Sequence, residues 1–249
     1  VSDLAMAAPN PYQSPAIPSE SDRPGKKFQI NFAALSLFEY QRLAGDVVRG
    51  TVEWSLWKLK LNWSSPPVVS VQPPSQSKCD ALDVPAELRK WLIEWRDEAM
   101  TLGFHGERYS LATSVEGVAV ATELRMVHQN ARSYLEICVF LSGQFYASKF
   151  NLASATLAGQ ILASSNGKLD VKRPPTTTCR YFVGLPLADL CRRHEEWLGT
   201  QSEPLKEFHN MADVEATMDH MAARFVDFQV ARGYWIPLAT EVQPAASAG

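Results

Sequence analysis

Cysteine is scarce and unpatterned in this sequence. The four residues Cys79, Cys138, Cys179 and Cys191 form no C-x-x-C pair in 249 residues, so the usual zinc and dithiol spacings are absent. Cys138 with Cys179, or Cys179 with Cys191, could pair in an oxidising compartment. A chain of this length has enough core to fold without such staples, and free buried thiols are expected. Long apolar runs are missing as well. No stretch of about 18 apolar residues occurs, so no membrane span is expected. The first residues lack the basic start and continuous apolar stretch of a signal peptide, and Met6 is a candidate natural start. Neither sign of charge dominates: Lys and Arg number 24 against 27 Asp and Glu, for a net charge of −3 and a pI near 6.0. A dedicated nucleic-acid binder is not expected, because phosphate neutralisation supplies most of such affinity. There is no G-x-S-x-G, no P-loop, no dinucleotide fingerprint and no H-E-x-x-H, which together lower the expectation of an enzyme.

What is present is an ordinary globular composition, 46% hydrophobic and 20% charged, with proline concentrated in two places. Pro9, Pro11, Pro15, Pro18 and Pro24 lie among small polar residues. Residues 1–27 are therefore expected to be disordered, having too little apolar content to offset ordering entropy. Residues 28–63 read as a helix over 30–49 closed by Gly50, then a Trp-rich strand with a bulge over 51–63. The strand rests on Val52, Trp54 and Leu56 alternating one step out of phase with Trp57, Leu59, Leu61 and Trp63. Residues 64–82, with Pro66, Pro67, Pro73 and Pro74, read as a Pro/Ser linker.

Residues 83–239 carry the clearest patterns. Pro85 and Gly103 bracket a helix whose apolar stripe is Leu88, Leu92, Trp95, Ala99 and Leu102. Strands are expected at 107–113, 118–128, 133–141, 145–151, 156–164, 168–173 and 179–184, with Asn166-Gly167 as a hairpin turn. Helices over 186–198 and 211–232 follow, and 240–249 reads as a flexible tail. The fold class predicted is α+β: an antiparallel meander of six to seven strands, covered by helices from before and after the strand block, packed on one face.

The run Asn10-Pro11-Tyr12-Gln13-Ser14-Pro15 resembles a signature near the N-termini of uncharacterised planctomycete membrane proteins. Their transmembrane helix has no counterpart here. Over roughly 85–235, Leu102-Gly103-Phe104, the central strands and the His194-bearing helix are similar to their soluble domain. Since that family has no assigned activity, the resemblance implies a fold and no catalytic residue.

Candidate site residues are few. His194 sits on the apolar face of its helix, where an imidazole needs a partner. It reads either as a core histidine bonded to protein or as a ligand-binding group between sheet and helices. Cys138, with His128 on the neighbouring strand, is a second candidate; a mid-strand cysteine is more often a small buried hydrophobe. His209 with Asp213, and Asp219 with His220, read as solvated helix faces. Lys168, Lys172, Arg173 and Arg180 read as a guarded edge strand. Trp54, Trp57 and Trp63 either pack on the main domain or touch a membrane surface peripherally. No cofactor and no metal are expected. The function expected is a non-enzymatic interaction or scaffolding domain with a protein partner or a second copy, cytoplasmic or envelope-associated. The alternative is a small-ligand binder or enzyme with a pocket near His194.

Overall fold

The computed structural model describes residues 26–44, 46–61, 65–113, 120–142, 145–167 and 171–238. In chain order the strands are β1 (Lys26–Ile30), β2 (Val68–Val71), β3 (Lys78–Cys79), β4 (Phe104–Thr113), β5 (Val120–His128), β6 (Tyr134–Ser142), β7 (Phe145–Ala155), β8 (Ile161–Ser165), β9 (Thr177–Tyr181) and β10 (Trp235–Pro237). The helices are α1 (Leu37–Ala44), α2 (Val47–Lys58), α3 (Ala86–Thr101), α4 (Leu187–Leu198) and α5 (Met211–Ala231). The fold is α+β. Seven strands form one sheet in the order β3-β4-β5-β6-β7-β8-β9, and three form a second in the order β10-β1-β2.

The large sheet follows from period-two patterning. Leu124 and Met126 of β5 lie beside Leu135, Ile137 and Val139 of β6 and Phe150 and Leu152 of β7. These residues pack with Leu88, Leu92 and Ala99 of α3 and Leu187 and Leu190 of α4. The opposite parity, Val127, Tyr134, Ala153, Ala155, Ile161 and Ala163, packs under Met211, Val214 and Met218 of α5. The helices thus cover both faces rather than the single face expected. With cover on each side, all five residues of β8 are buried, and that strand shows no alternation.

The meander is antiparallel from β3 to β8, but β8 and β9 run parallel. The expected Asn166-Gly167 hairpin is therefore absent. Asn166 serves the sheet instead: its Oδ1 accepts from the Phe150 backbone N–H at 2.7 Å. Of the strand expected at 168–173, residues 168–170 lie outside the described residues and 171–173 form no strand. The strand expected at 156–164 begins only at Ile161, because the chain turns through Gly159 at φ +82.

The small sheet revises the reading of the described residues between 26 and 82. Lys26 and Lys27 belong to β1 and pair with Val71 and Ser70 of β2, so part of the expected linker is a strand. The expectation for 1–25 lies outside the described residues, as does that for 239–249. The single helix over 30–49 is instead a strand, a turn and two helices. Ser36 and Glu39 form a capping box at the start of α1: the Ser36 N–H donates to Glu39 Oε2 at 3.1 Å and the Glu39 N–H to Ser36 Oγ at 3.3 Å. Asp46 caps α2, accepting from the Arg49 N–H at 2.7 Å.

Residues 51–58, expected as strand, continue that helix. Gly50 sits inside it, where a Cβ would lie 2.7 Å from Gln41 Cα, so the glycine permits α1 and α2 to touch. Trp54 and Trp57, three residues apart, turn inward together. Trp54 Nε1 donates to the Leu35 carbonyl at 2.9 Å and Trp57 Nε1 to Tyr40 Oη at 3.2 Å. Trp63 lies outside the described residues.

The two halves are joined by Glu39, 5% exposed. Its carboxylate accepts from Arg232 Nη2 at 2.7 and 2.8 Å and from the Lys172 N–H at 3.3 Å. Burial alone would raise the Glu39 pKa, but the hydrogen bonds from Ser36, Arg232 and Lys172 outweigh it and hold the group below its usual value.

Candidate functional site

His194 is 1% exposed, and its two ring nitrogens meet two serine hydroxyls. Nε2 lies 3.0 Å from Ser154 Oγ and Nδ1 lies 2.9 Å from Ser164 Oγ. Ser154 on β7 pairs with Leu162, and Ser164 on β8 pairs with Leu152, so the two serines stand diagonally on one face, the face under α4. In either neutral tautomer one ring nitrogen donates and the other accepts, and a hydroxyl can answer both. Burial pushes the imidazole pKa down to about 4, so it is neutral at pH 7. The Trp197 ring stands edge-on to it at 6.0 Å, and the Arg180 guanidinium stacks on that tryptophan at 4.4 Å. Neither ring nitrogen is left over for a ligand or a proton transfer.

His128 closes the turn between α3 and β4. Its Nε2–H donates to the Leu102 carbonyl at 3.1 Å, and Nδ1 accepts from the Asn130 N–H at 3.2 Å. Cys138 faces the other side of the sheet from His194, beside Glu123, Glu136 and Asn151. The three residues singled out from sequence therefore do not share a site.

Cys138 instead belongs to a polar patch that sequence reading missed. One ligand atom each of Glu123, Glu136 and Cys138 lies within 4.8 Å of the others. Arg125, 2% exposed, pairs with Glu123 and reaches Glu136 at 3.7 Å. Burial and the neighbouring Glu136 raise the Glu123 pKa, and burial and the two carboxylates push the Cys138 thiol well up. A protonated thiol is a poor nucleophile, and the guanidinium already supplies the positive charge that these carboxylates require. The alternation Glu123-x-Arg125 opposite Glu136-x-Cys138 was the available signal, once β5 and β6 were placed in register.

The remaining candidates separate in the same way. Arg180 packs on Trp197, whereas Arg173 lies near Tyr134 and Tyr181 on the opposite face; Lys168 lies outside the described residues. The His209 N–H donates to Asp213 at 2.9 Å and its ring sits 3.5 Å from Glu207. Asp219 accepts from the Ser75 N–H at 2.9 Å, tying α5 to the turn between β2 and β3. Beside that contact a cleft of about 400 Å³ opens between the small sheet and α5, floored by Phe28, Val71, Ala222 and Val226 and edged by Lys26 and Asp227.

The largest departure from an ordinary surface is on the α1–α2 pair. Val48 is 75% exposed and Val52 56% exposed, and Leu56, Leu59, Val47 and Phe38 are exposed with them. Of the tryptophans that suggested membrane contact, Trp54 and Trp57 face inward, while the opposite face of α2 is the apolar one in solvent. The cause is composition: α2 carries apolar residues on both sides, and only the Trp54–Trp57 side finds the core.

Compared with protein-family models, with curated proteins and with solved structures, the chain matches none of them. No helix among the described residues is long and apolar enough to cross a membrane.

Proposed function

We propose that this protein is a non-enzymatic interaction domain that docks a protein helix on the outer face of α2. The observation that carries this reading is the exposed stripe Val48, Val52, Leu56 and Leu59. Four apolar side chains at helical spacing, with no described residue over them, are the pattern of one half of a helix–helix contact. The chemistry elsewhere agrees: His194 has both nitrogens bonded, and the Cys138 thiol is held protonated. The test is binding of an apolar fluorescent dye by the full chain, with wild type compared to Val52→Asp and Leu56→Asp. The reading expects most dye binding to disappear in either variant while the far-ultraviolet spectrum is kept. Unchanged dye binding would refute it.

A second reading rests on the cleft beside α5. Its volume lies within the range of small-molecule sites, and its floor of Phe28, Val71, Ala222 and Val226 suits a compact apolar ligand. Val226→Trp, which fills the floor, should abolish binding of such a ligand in a thermal-shift screen; retained binding would place the ligand elsewhere.

A further inference from the structure

We infer that the helix docked on α2 is α2 of a second copy of this chain, antiparallel to the first about a two-fold axis through Val52. This rests on the docking reading above and adds the partner. At about 100° per residue, Val48, Val52, Leu56 and Leu59 fall within an arc of about 80°, opposite Trp54 and Trp57. Val52 is central, and Val48 and Leu56 stand four residues to either side of it. An antiparallel pair centred on Val52 places each Val48 against Leu56 of the partner subunit and the two Val52 side chains against each other. The stripe is thus complementary to itself, as an isologous interface must be.

The flanks select the orientation. Arg49 and Glu53 stand on one edge of the stripe, paired with each other at 2.7 Å and with Arg49 71% exposed; Thr51 and Ser55 stand on the other. A two-fold brings like edges together, so in the antiparallel pair each Arg49 meets Glu53 of the partner subunit. A parallel pair would set the charged edge against the hydroxyl edge and align the two helix dipoles unfavourably. Val48, Val52, Leu56 and Leu59 together expose on the order of a few hundred Å² of apolar surface per copy, less than the about 800 Å² each partner of a standard interface buries, which fits a dimer of modest affinity.

The experiment is sedimentation of the full chain over roughly 1–100 µM, the range in which an interface of modest affinity dissociates. Wild type is expected to pass from monomer to dimer, and Val52→Asp to stay monomeric, with a melting temperature equal to that of wild type at concentrations where both are monomers. Arg49→Glu and Glu53→Arg should each weaken self-association about tenfold or more, while their equimolar mixture forms a heterodimer. Under mild oxidation Val52→Cys should give a disulfide-linked dimer above the wild-type background. Val48→Cys should not, since the two Val48 positions lie about 12 Å apart along the axis. A dimer that survives Val52→Asp, or equal cross-linking at Val48 and Val52, overturns the proposal. A wild type that is monomeric throughout also overturns the second copy. Dye binding lost in Val52→Asp would then still uphold the docking face, and dye binding unaffected by it would remove both.

Discussion

The large sheet and the small one are held together by different means. In the seven-stranded sheet, neighbours in space are mostly neighbours in sequence, and each strand buries one or both faces under a helix. Its buried imidazole is matched within it, His194 by Ser154 and Ser164, while Thr122 Oγ1 and Tyr134 Oη are buried without a hydrogen-bond partner. The three-stranded sheet joins segments from both ends of the described chain: β1 pairs with β2 on one side and with β10 on the other. Its inner layer is Phe28, Ile30, Leu35, Tyr40, Val69 and Tyr234, and one ion pair, Glu39 with Arg232, ties it to the end of α5. A small unit closed by distant segments has less area to bury, so single contacts weigh more. It is also the unit whose helix α2 leaves a stripe of apolar side chains in solvent, Val48, Val52, Leu56 and Leu59.

Glu39→Ala should produce the largest effect, about 3–5 kcal/mol, because it leaves Arg232, whose side chain is only 17% exposed, without its carboxylate partner. The loss should fall unevenly. Tryptophan fluorescence, which senses Trp54 and Trp57, should report unfolding of the small sheet at lower urea than the far-ultraviolet signal of the large one. Coincident transitions would show that the two sheets form one cooperative unit and would break the contrast drawn above.

The buried imidazole makes the large sheet acid-sensitive. Its pKa is about 4 in the folded chain against 6.5 for a free imidazole. The unfolded chain therefore takes up a proton between these values and the folded chain does not. The stability contribution is fully present above pH 6.5, falls as pH drops toward 4, and amounts to roughly 3 kcal/mol at most. Urea midpoints measured across that window for wild type and His194→Gln test this. The variant should be less stable at pH 7 and lack this part of the pH slope, whereas identical slopes would place the titration in other groups.

Phe225 sharpens the comparison at a smaller scale. Its place in the stripe Val214, Met218, Met221, Phe225 and Phe228, spaced by four and three residues, marks it as core, yet it is only half-buried, standing edge-on to Trp235 at 5.5 Å. Phe225→Ala should cost about 1–2 kcal/mol, against about 3–5 for Phe208→Ala, which is fully buried under the large sheet. Equal costs in chemical denaturation would mean the small sheet is packed as tightly as the large one. Val52→Asp should be the mildest, within about 0.5 kcal/mol of wild type as a monomer, because an exposed helical position carries little packing energy. A larger loss would show that Val52 is covered within its own chain.

Much of the large sheet was legible in the residues. The stripe Leu88, Leu92, Ala99 and the alternations of β5 and β6 are local patterns, and local periodicity survives into the fold. The Trp-rich stretch failed because alternating Trp54, Leu56 and Trp57, Leu59 fits two periods, and the arbiter was contact between α1 and α2 at Gly50 and Gln41. Ser36-x-x-Glu39 was readable as a helix start, though nothing local tied Glu39 to Arg232, 193 residues away. His194 was readable as a polar group on an apolar face. Its partners were not, because which serines face α4 depends on the register of β7 against β8.

What the sequence by itself determined is the set of elements in the second half of the chain and the α+β class, since hydrophobic period and turn chemistry act over a few residues. What only the tertiary structure decided is which faces are covered. It paired the beginning and end of the described chain in one sheet, ran β9 parallel to β8, turned Trp54 and Trp57 inward and left Val48, Val52 and Leu56 outside. Those outcomes depend on which distant surfaces compete for the same apolar face, and a periodic pattern carries no record of the surface that will cover it.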